Sequence, residues 1–166
     1  MRLVICCLCV LVFSAIGCGD DNSSGKVESL SDKSDPTSDR RYSIRMRQYK
    51  IQGKTLYNKE CAQCHQEDGS GFAQLYPPLK DSDYLQEDVQ RAFCIIRNGL
   101  SEEIEVNGKT YRQAMPAHTR LTNLEIAEIM TYVYSEWGTE EQQKLYPVKE
   151  VSRILEDCQL PAVEKN

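Results

Sequence analysis

Cys61, Cys64 and His65 are the residues whose types and spacing could do chemistry in this chain. They stand in Cys61-Ala62-Gln63-Cys64-His65, a C-x-x-C-H pattern. Two thiols three positions apart leave one turn of helix along a single edge of a flat ring system. That placement suits thioether bonds to the two vinyl groups of a haem, and the pattern reads as a covalent haem attachment site. The imidazole of His65 would then reach the iron from the proximal side. Two other chemistries also use paired thiols. A tetrahedral zinc site asks for a fourth ligand, usually from a second C-x-x-C or H-x-H pair. A thioredoxin-like dithiol asks for a strand–helix context, and the polar segment around Cys61 shows none.

The 166 residues carry 25 acidic and 20 basic side chains, a formal charge of -5. With no basic stripe along the whole chain and no nucleic-acid motif, nucleic acid is not an expected partner. Eight cysteines suggest a disulfide scaffold until they are placed. Cys6, Cys7 and Cys9 lie in an apolar run from Leu3 to Ile16, broken only by Ser14 and preceded by Arg2. That run has the length of an export-signal core and is too short to span a bilayer. It ends Ser14-Ala15-Ile16-Gly17-Cys18, which resembles a bacterial lipobox with Ala15 where that signal usually has leucine. The resemblance implies a lipoprotein signal peptide over residues 1–17 and a lipid on Cys18; ordinary signal-peptidase cleavage nearby is the alternative. Such an anchor would hold the protein on the periplasmic face of a bacterial membrane without a spanning helix.

Residues 18–41 are rich in Ser and Asp and poor in large apolar side chains. They cannot bury enough surface to offset their ordering entropy, so a flexible tether is expected. From Arg40 to Lys54 the charge reverses: six cations stand without an acidic neighbour, whereas residues 55–166 carry a net -8. A docking patch for anionic lipid headgroups or an acidic redox partner and a merely solvated approach to the first helix both remain open.

The elements that must position the motif are patterned around it. Gly53 and Tyr57 lie eight and four positions before Cys61, on one face of a helix running into the motif. Gln66-Glu67-Asp68-Gly69-Ser70-Gly71 is turn-rich, and Tyr76-Pro77-Pro78-Leu79 follows. From Glu87 to Arg97, Val89, Ala92, Phe93 and Ile96 recur at helical spacing, with Asn98-Gly99 as the stop. Ile104 and Val106, then Thr110 beyond Asn107-Gly108, predict a small β-hairpin over residues 103–112. Met115-Pro116 comes next. Thr122-Asn123-Leu124-Glu125 is a capping box opening a helix whose apolar face holds Leu124, Ile129, Tyr132 and Val133 and which closes at Trp137-Gly138.

Taken with these residues, the stretch from about residue 48 to Trp137 resembles a class I c-type cytochrome, here in a membrane-anchored lipoprotein form. The resemblance implies an all-α fold over residues 42–138, three to four core helices around one covalent haem c and its iron, with the hairpin as an insertion. It implies that Gly53 and Tyr57 meet the C-terminal helix at Ile129 and Tyr132. It places the acceptor for the second ring N–H of His65 at the Pro77 carbonyl, with Pro78 as the other candidate, and puts Leu79 against the haem. Met115 becomes the distal axial ligand; His118, the other histidine of the chain, competes with it. Tyr111 and Arg112 are candidates to hold the haem propionates.

Residues 139–166 depart from a minimal cytochrome and read as a helical extension with Val148, Val151, Ile154, Leu155 and Cys158 on one face. Once lipid and haem have taken their thiols, Cys94 and Cys158 remain, and an oxidising compartment leads us to expect them paired; two buried free cysteines are the alternative. The function expected is electron transfer to redox proteins of a respiratory chain, not enzymatic catalysis. The alternatives are the haem subunit of a larger dehydrogenase or terminal oxidase complex, and a five-coordinate haem doing ligand-binding or peroxidase work.

Overall fold

The computed structural model describes residues 36–158. The expected signal peptide, Cys18, the tether as far as residue 35 and the last eight residues lie outside the described residues.

Helix α1 (Pro36–Glu60) runs straight into the Cys61 motif. Its first turns use residues 36–41, which the composition assigns to the tether. Composition registers only the lack of apolar side chains there. The helix is held instead by local bonds and by the tail: Ser43 donates to the Asp39 carbonyl at 2.9 Å, and the Tyr42 hydroxyl accepts the Leu145 N–H at 3.1 Å. Further along, Lys50 pairs with Glu136 at 3.2 Å, and Tyr49 and Leu56 pack partly buried against the core.

The central crossing joins α1 to α5 (Asn123–Trp137). A Cβ built on Gly53 would overlap the Glu128 carbonyl and lie 2.8 Å from Tyr132 Cβ. The expected contact with Tyr132 is present. The neighbouring contact is the Glu128 backbone, while the buried Ile129 lines the cleft described below. One turn on, Tyr57 is fully buried with its ring 5.5 Å from Tyr132 and 5.3 Å from Trp137. The Thr122–Glu125 capping box is formed in full and starts α5 where the sequence places it.

Between the motif and α5 lie α2 (Ala62–His65), α3 (Asp83–Glu87), α4 (Val89–Asn98) and the hairpin β1 (Ile104–Val106) and β2 (Lys109–Tyr111). The helix expected from Glu87 is split at Asp88, which takes an extended conformation and caps α4 by accepting the Arg91 N–H at 3.0 Å. Helix α3 was not anticipated; Ser82 caps it. The strands pair antiparallel, Ile104 opposite Tyr111 and Val106 opposite Lys109. Asn107 and Gly108 both take positive φ, which the tight turn needs. Reciprocal bonds between Asp83 and Asn107, 3.1 and 2.8 Å, tie the hairpin tip to the start of α3.

The tail forms a short 3₁₀ turn (Glu140–Gln142) and α6 (Val148–Glu156), with Val151 fully buried. Tyr146 packs against Phe93 and Tyr134, and its N–H donates to Thr131 Oγ1 at 3.1 Å. Cys94 of α4 is disulfide-bonded to Cys158, with 5.4 Å between the Cα atoms.

The crossing makes a test by substitution. Alanine at position 53 would gain about 1 kcal/mol of helix propensity, but the atoms it meets are backbone and cannot swing aside. Overpacking of about 1–3 kcal/mol should win. Gly53→Ala is expected to lower the guanidinium midpoint of the haem-loaded protein; an unchanged or raised midpoint would contradict the close crossing.

Candidate functional site

Helix α1 ends at Glu60, and Cys61 turns the chain into α2 with φ −120° and ψ −37°. The Cys61 carbonyl accepts the N–H groups of Cys64 (3.1 Å) and His65 (3.0 Å). That closes the single turn which sets the two thiols and the imidazole in fixed relation. Gln66 then takes φ 63°, a left-handed conformation that a side chain rarely adopts. Two bonds hold this reversal. The Tyr57 hydroxyl donates to the Gln66 carbonyl at 2.6 Å, and Gly71 N–H donates to the His65 carbonyl at 3.0 Å.

His65 Nδ1 lies 3.0 Å from the Pro77 carbonyl, and not from that of Pro78. A carbonyl can only accept, so the proton sits on Nδ1 and the Nε2 lone pair is left for a metal. Burial, the largest effect, lowers the His65 pKa and keeps the ring neutral. The Pro77 loop can approach because residue 71 is glycine with φ 67°. A Cβ there would meet the Pro77 carbonyl oxygen at 2.7 Å and the Tyr76 oxygen inside contact distance.

Cys61 and Cys64 are free, half-buried thiols. Burial pushes the Cys61 thiol up to about 12, with Glu60 and Cys64 adding to the rise. A redox dithiol needs the opposite shift. Among the described residues no three His, Cys, Asp or Glu side chains converge as a metal cage, so the zinc alternative lacks its ligands.

Cys61, Cys64, His65 and Met115 line one predominantly apolar cleft of about 1070 Å³, its open mouth included. Met115 is fixed through its backbone, bonded both ways to Leu100 at 2.9 and 2.8 Å. His118 is not among the lining residues; its N–H donates to the Ile96 carbonyl at 2.9 Å, and its Nδ1 lies 4.0 Å from Glu60. Leu79 and the buried Tyr111 line the cleft. Arg112 does not: it is exposed and paired with Glu103.

Sequence reasoning missed Arg91. Its guanidinium lies 3.7 Å over the Tyr84 ring, donates to the Tyr84 carbonyl (2.7 Å) and Glu87 (3.0 Å), and lines the cleft. Its Nε is the one buried side-chain polar atom without a partner among the described residues. Only the break at Asp88, which sets the register of α4, would have pointed to it. Two thiols, a neutral imidazole, a thioether and a pinned cation around an apolar cleft are the set that a haem with two anionic propionates requires. The residues present therefore fit that group.

A covalent-haem site carried on helices of this arrangement defines a class I c-type cytochrome. The cytochrome c family model matches residues 51–137. Cytochrome c-552 of Thermus thermophilus is 32% identical over 96 residues, covering 55% of this chain and 72% of the relative. A second cytochrome c-552 from a named strain of the same species gives the same identity over 64% of its length. The cytochrome c subunit of the quinone alcohol dehydrogenase of Gluconacetobacter polyoxogenes is 29% identical over 91 residues, 53% of this chain and 19% of that subunit. The chain belongs to the cytochrome c family. Its function is haem-based electron transfer through covalently bound haem c and its iron; it is an electron carrier and not itself an enzyme.

Two glycines with positive φ separate strain from crowding. Gly108 has nothing within 4 Å of a built Cβ, whereas Gly71 faces Pro77. Gly108→Ala should cost only the conformational penalty, about 1–2 kcal/mol. Gly71→Ala should cost clearly more in guanidinium denaturation of the loaded protein. Equal losses would contradict the tight Gly71–Pro77 approach.

Proposed function

We propose that this chain is a single-haem carrier on the periplasmic face of a bacterial membrane, with His65 and Met115 as the axial ligands. One C-x-x-C-H motif in the chain supports one haem. The observation that carries the ligand assignment is the shared cleft: Met115 lines it with Cys61, Cys64 and His65, and His118 does not. Bound there, the haem iron would supply a one-electron couple, and thioether–imidazole ligation raises its potential.

The protein's part is positioning and exclusion. Pro77 orients the His65 ring through Nδ1. The Leu100–Met115 bridge sets where the thioether begins. Arg91 and Tyr111 are the side chains at hand for the propionates. With a haem bound, the apolar lining would limit the access of water to the ligands. Redox proteins of a respiratory chain are the partners proposed. The similarity to a quinone alcohol dehydrogenase cytochrome subunit favours a second reading, service within a dehydrogenase complex.

No described helix is long and apolar enough to cross a membrane. Attachment is assigned to a lipid on Cys18, on the strength of the Gly17-Cys18 signal in the sequence. Replacing Cys18 by alanine should move the haem protein from the membrane pellet to the soluble fraction; unchanged sedimentation would remove the anchor. Met115→Ala should abolish the sulfur-to-iron charge-transfer band in the far red of the oxidised spectrum, and His118→Ala should keep it. A band that survives loss of Met115 would sink the ligand assignment. Binding of carbon monoxide to the wild-type reduced protein would favour the five-coordinate alternative.

A further inference from the structure

Helix α1 shows two unlike faces. Gly53 and Tyr57 face α5, and Tyr42 reaches the tail. On the other side Arg40, Ile44, Arg47, Ile51 and Lys54 recur at spacings of four, three, four and three, which is one line along a helix. All five are exposed, Ile51 to 60% and Ile44 to 39%. The line is about 21 Å long at 1.5 Å per residue. No ion pair among the described residues involves Arg40, Arg45, Arg47 or Lys54, whereas Lys50, on the inner side, is paired. Among the described residues, none of the five side chains belongs to the buried core or packs against it.

We propose that this line is a membrane-surface contact that lays α1 on anionic phospholipid. Cations alternating with branched aliphatics suit the boundary between phosphates and acyl chains. The isoleucines enter that boundary, while Arg and Lys extend their heads to the phosphates. Charge complementarity limits the contact to this helix. Residues 55–166 carry a net -8, so an anionic bilayer repels the haem-bearing part and attracts only α1. The line is one residue wide and holds no aromatic side chain; Tyr42, which shares a shallow pocket with Arg47 and Ile51, is held to the tail through its hydroxyl. A protein partner is the weaker fit, because protein hot spots favour aromatic side chains seated in pockets. The contact does not depend on Cys18: it would orient the domain whether or not an acyl chain tethers it.

The test uses the haem-loaded protein from residue 18 onward carrying Cys18→Ala, so that neither an acyl chain nor the apolar run Leu3–Ile16 contributes. Co-sedimentation with phosphatidylcholine vesicles, with and without phosphatidylglycerol, is measured at low and high salt. Binding is expected only with phosphatidylglycerol and should weaken with salt. Arg40→Gln, Arg47→Gln and Lys54→Gln together should weaken it about 100-fold, since each surface cation contributes about a factor of five. Ile44→Ser with Ile51→Ser should also weaken it at unchanged charge. An unaltered visible spectrum shows that each variant keeps its haem site. No sedimentation with phosphatidylglycerol overturns the proposal, as does equal binding to neutral vesicles or full binding by either variant set. If vesicles are ignored while the glutamine variant slows reduction by an acidic redox protein, the line is a protein contact and the lipid assignment is wrong.

Discussion

The close approach of α1 to α5 at Gly53 is the constraint on which the rest of the structure depends. With no side chain at that point, the two backbones come near enough for the next turn to interlock. Tyr57 then sits against Tyr132 and Trp137, and its hydroxyl reaches the Gln66 carbonyl. The same α5 terminus supports the other side of the motif. Trp137 lies against Gly69, where a Cβ would fall 2.6 Å from its ring. The Gly69 carbonyl accepts the N–H groups of Leu79 and Lys80. One helix end thus braces both the residue that follows His65 and the loop that carries Pro77. The imidazole is aimed by packing several residues away from it.

The other walls of the cleft depend on smaller devices. Helix α4 has ten residues and offers one face to the cleft, so its outer face must be covered for it to stay in place. The tail does this through Tyr146 against Phe93, Val151 in the core, and the bond from Cys94 to Cys158. Closing a loop of sequence separation 64 stabilises the fold by about 4 kcal/mol in the chain-entropy model. The hairpin, with three residues in each strand, would be marginal alone. Its tip is bonded to α3 through Asp83 and Asn107, and its inner side chains Val106 and Tyr111 are buried.

The parts legible in the sequence were those with local signatures. The C-x-x-C-H motif, the capping box before α5 and the Asn107-Gly108 turn each fix structure within a few residues. The position of Pro77 came from family resemblance, and spacing alone did not distinguish it from Pro78. What stayed hidden needed distant partners. Residues 36–41 look unstructured until Tyr42 meets Leu145, 103 residues away. The break at Asp88 is a contest between continuing one helix and capping a new one, and apolar periodicity does not register it. Arg91 was hidden for the same reason. Its value lies in being pinned over Tyr84 at the edge of a cleft, and no pattern of charges along the chain records that.

A helix repeat of 3.6 residues lets one element carry two independent sets of requirements. In α1 the inner positions 53 and 57 answer to backbone contact and ring packing, while positions 40, 44, 47, 51 and 54 answer only to solvent or whatever meets the surface. The charge contrast runs along the same division. Three of the six cations, Arg40, Arg47 and Lys54, lie on the outer line of a helix that leads into an acidic domain. Scattered over the surface, the same charges would partly neutralise the domain and favour no orientation. Concentrated on one rod, they give the molecule a polarity, with the basic end of α1 remote along the chain from the attachment turn at its other end. The proposed membrane contact would use that asymmetry, and none of the residues in the line is among those that line the cleft.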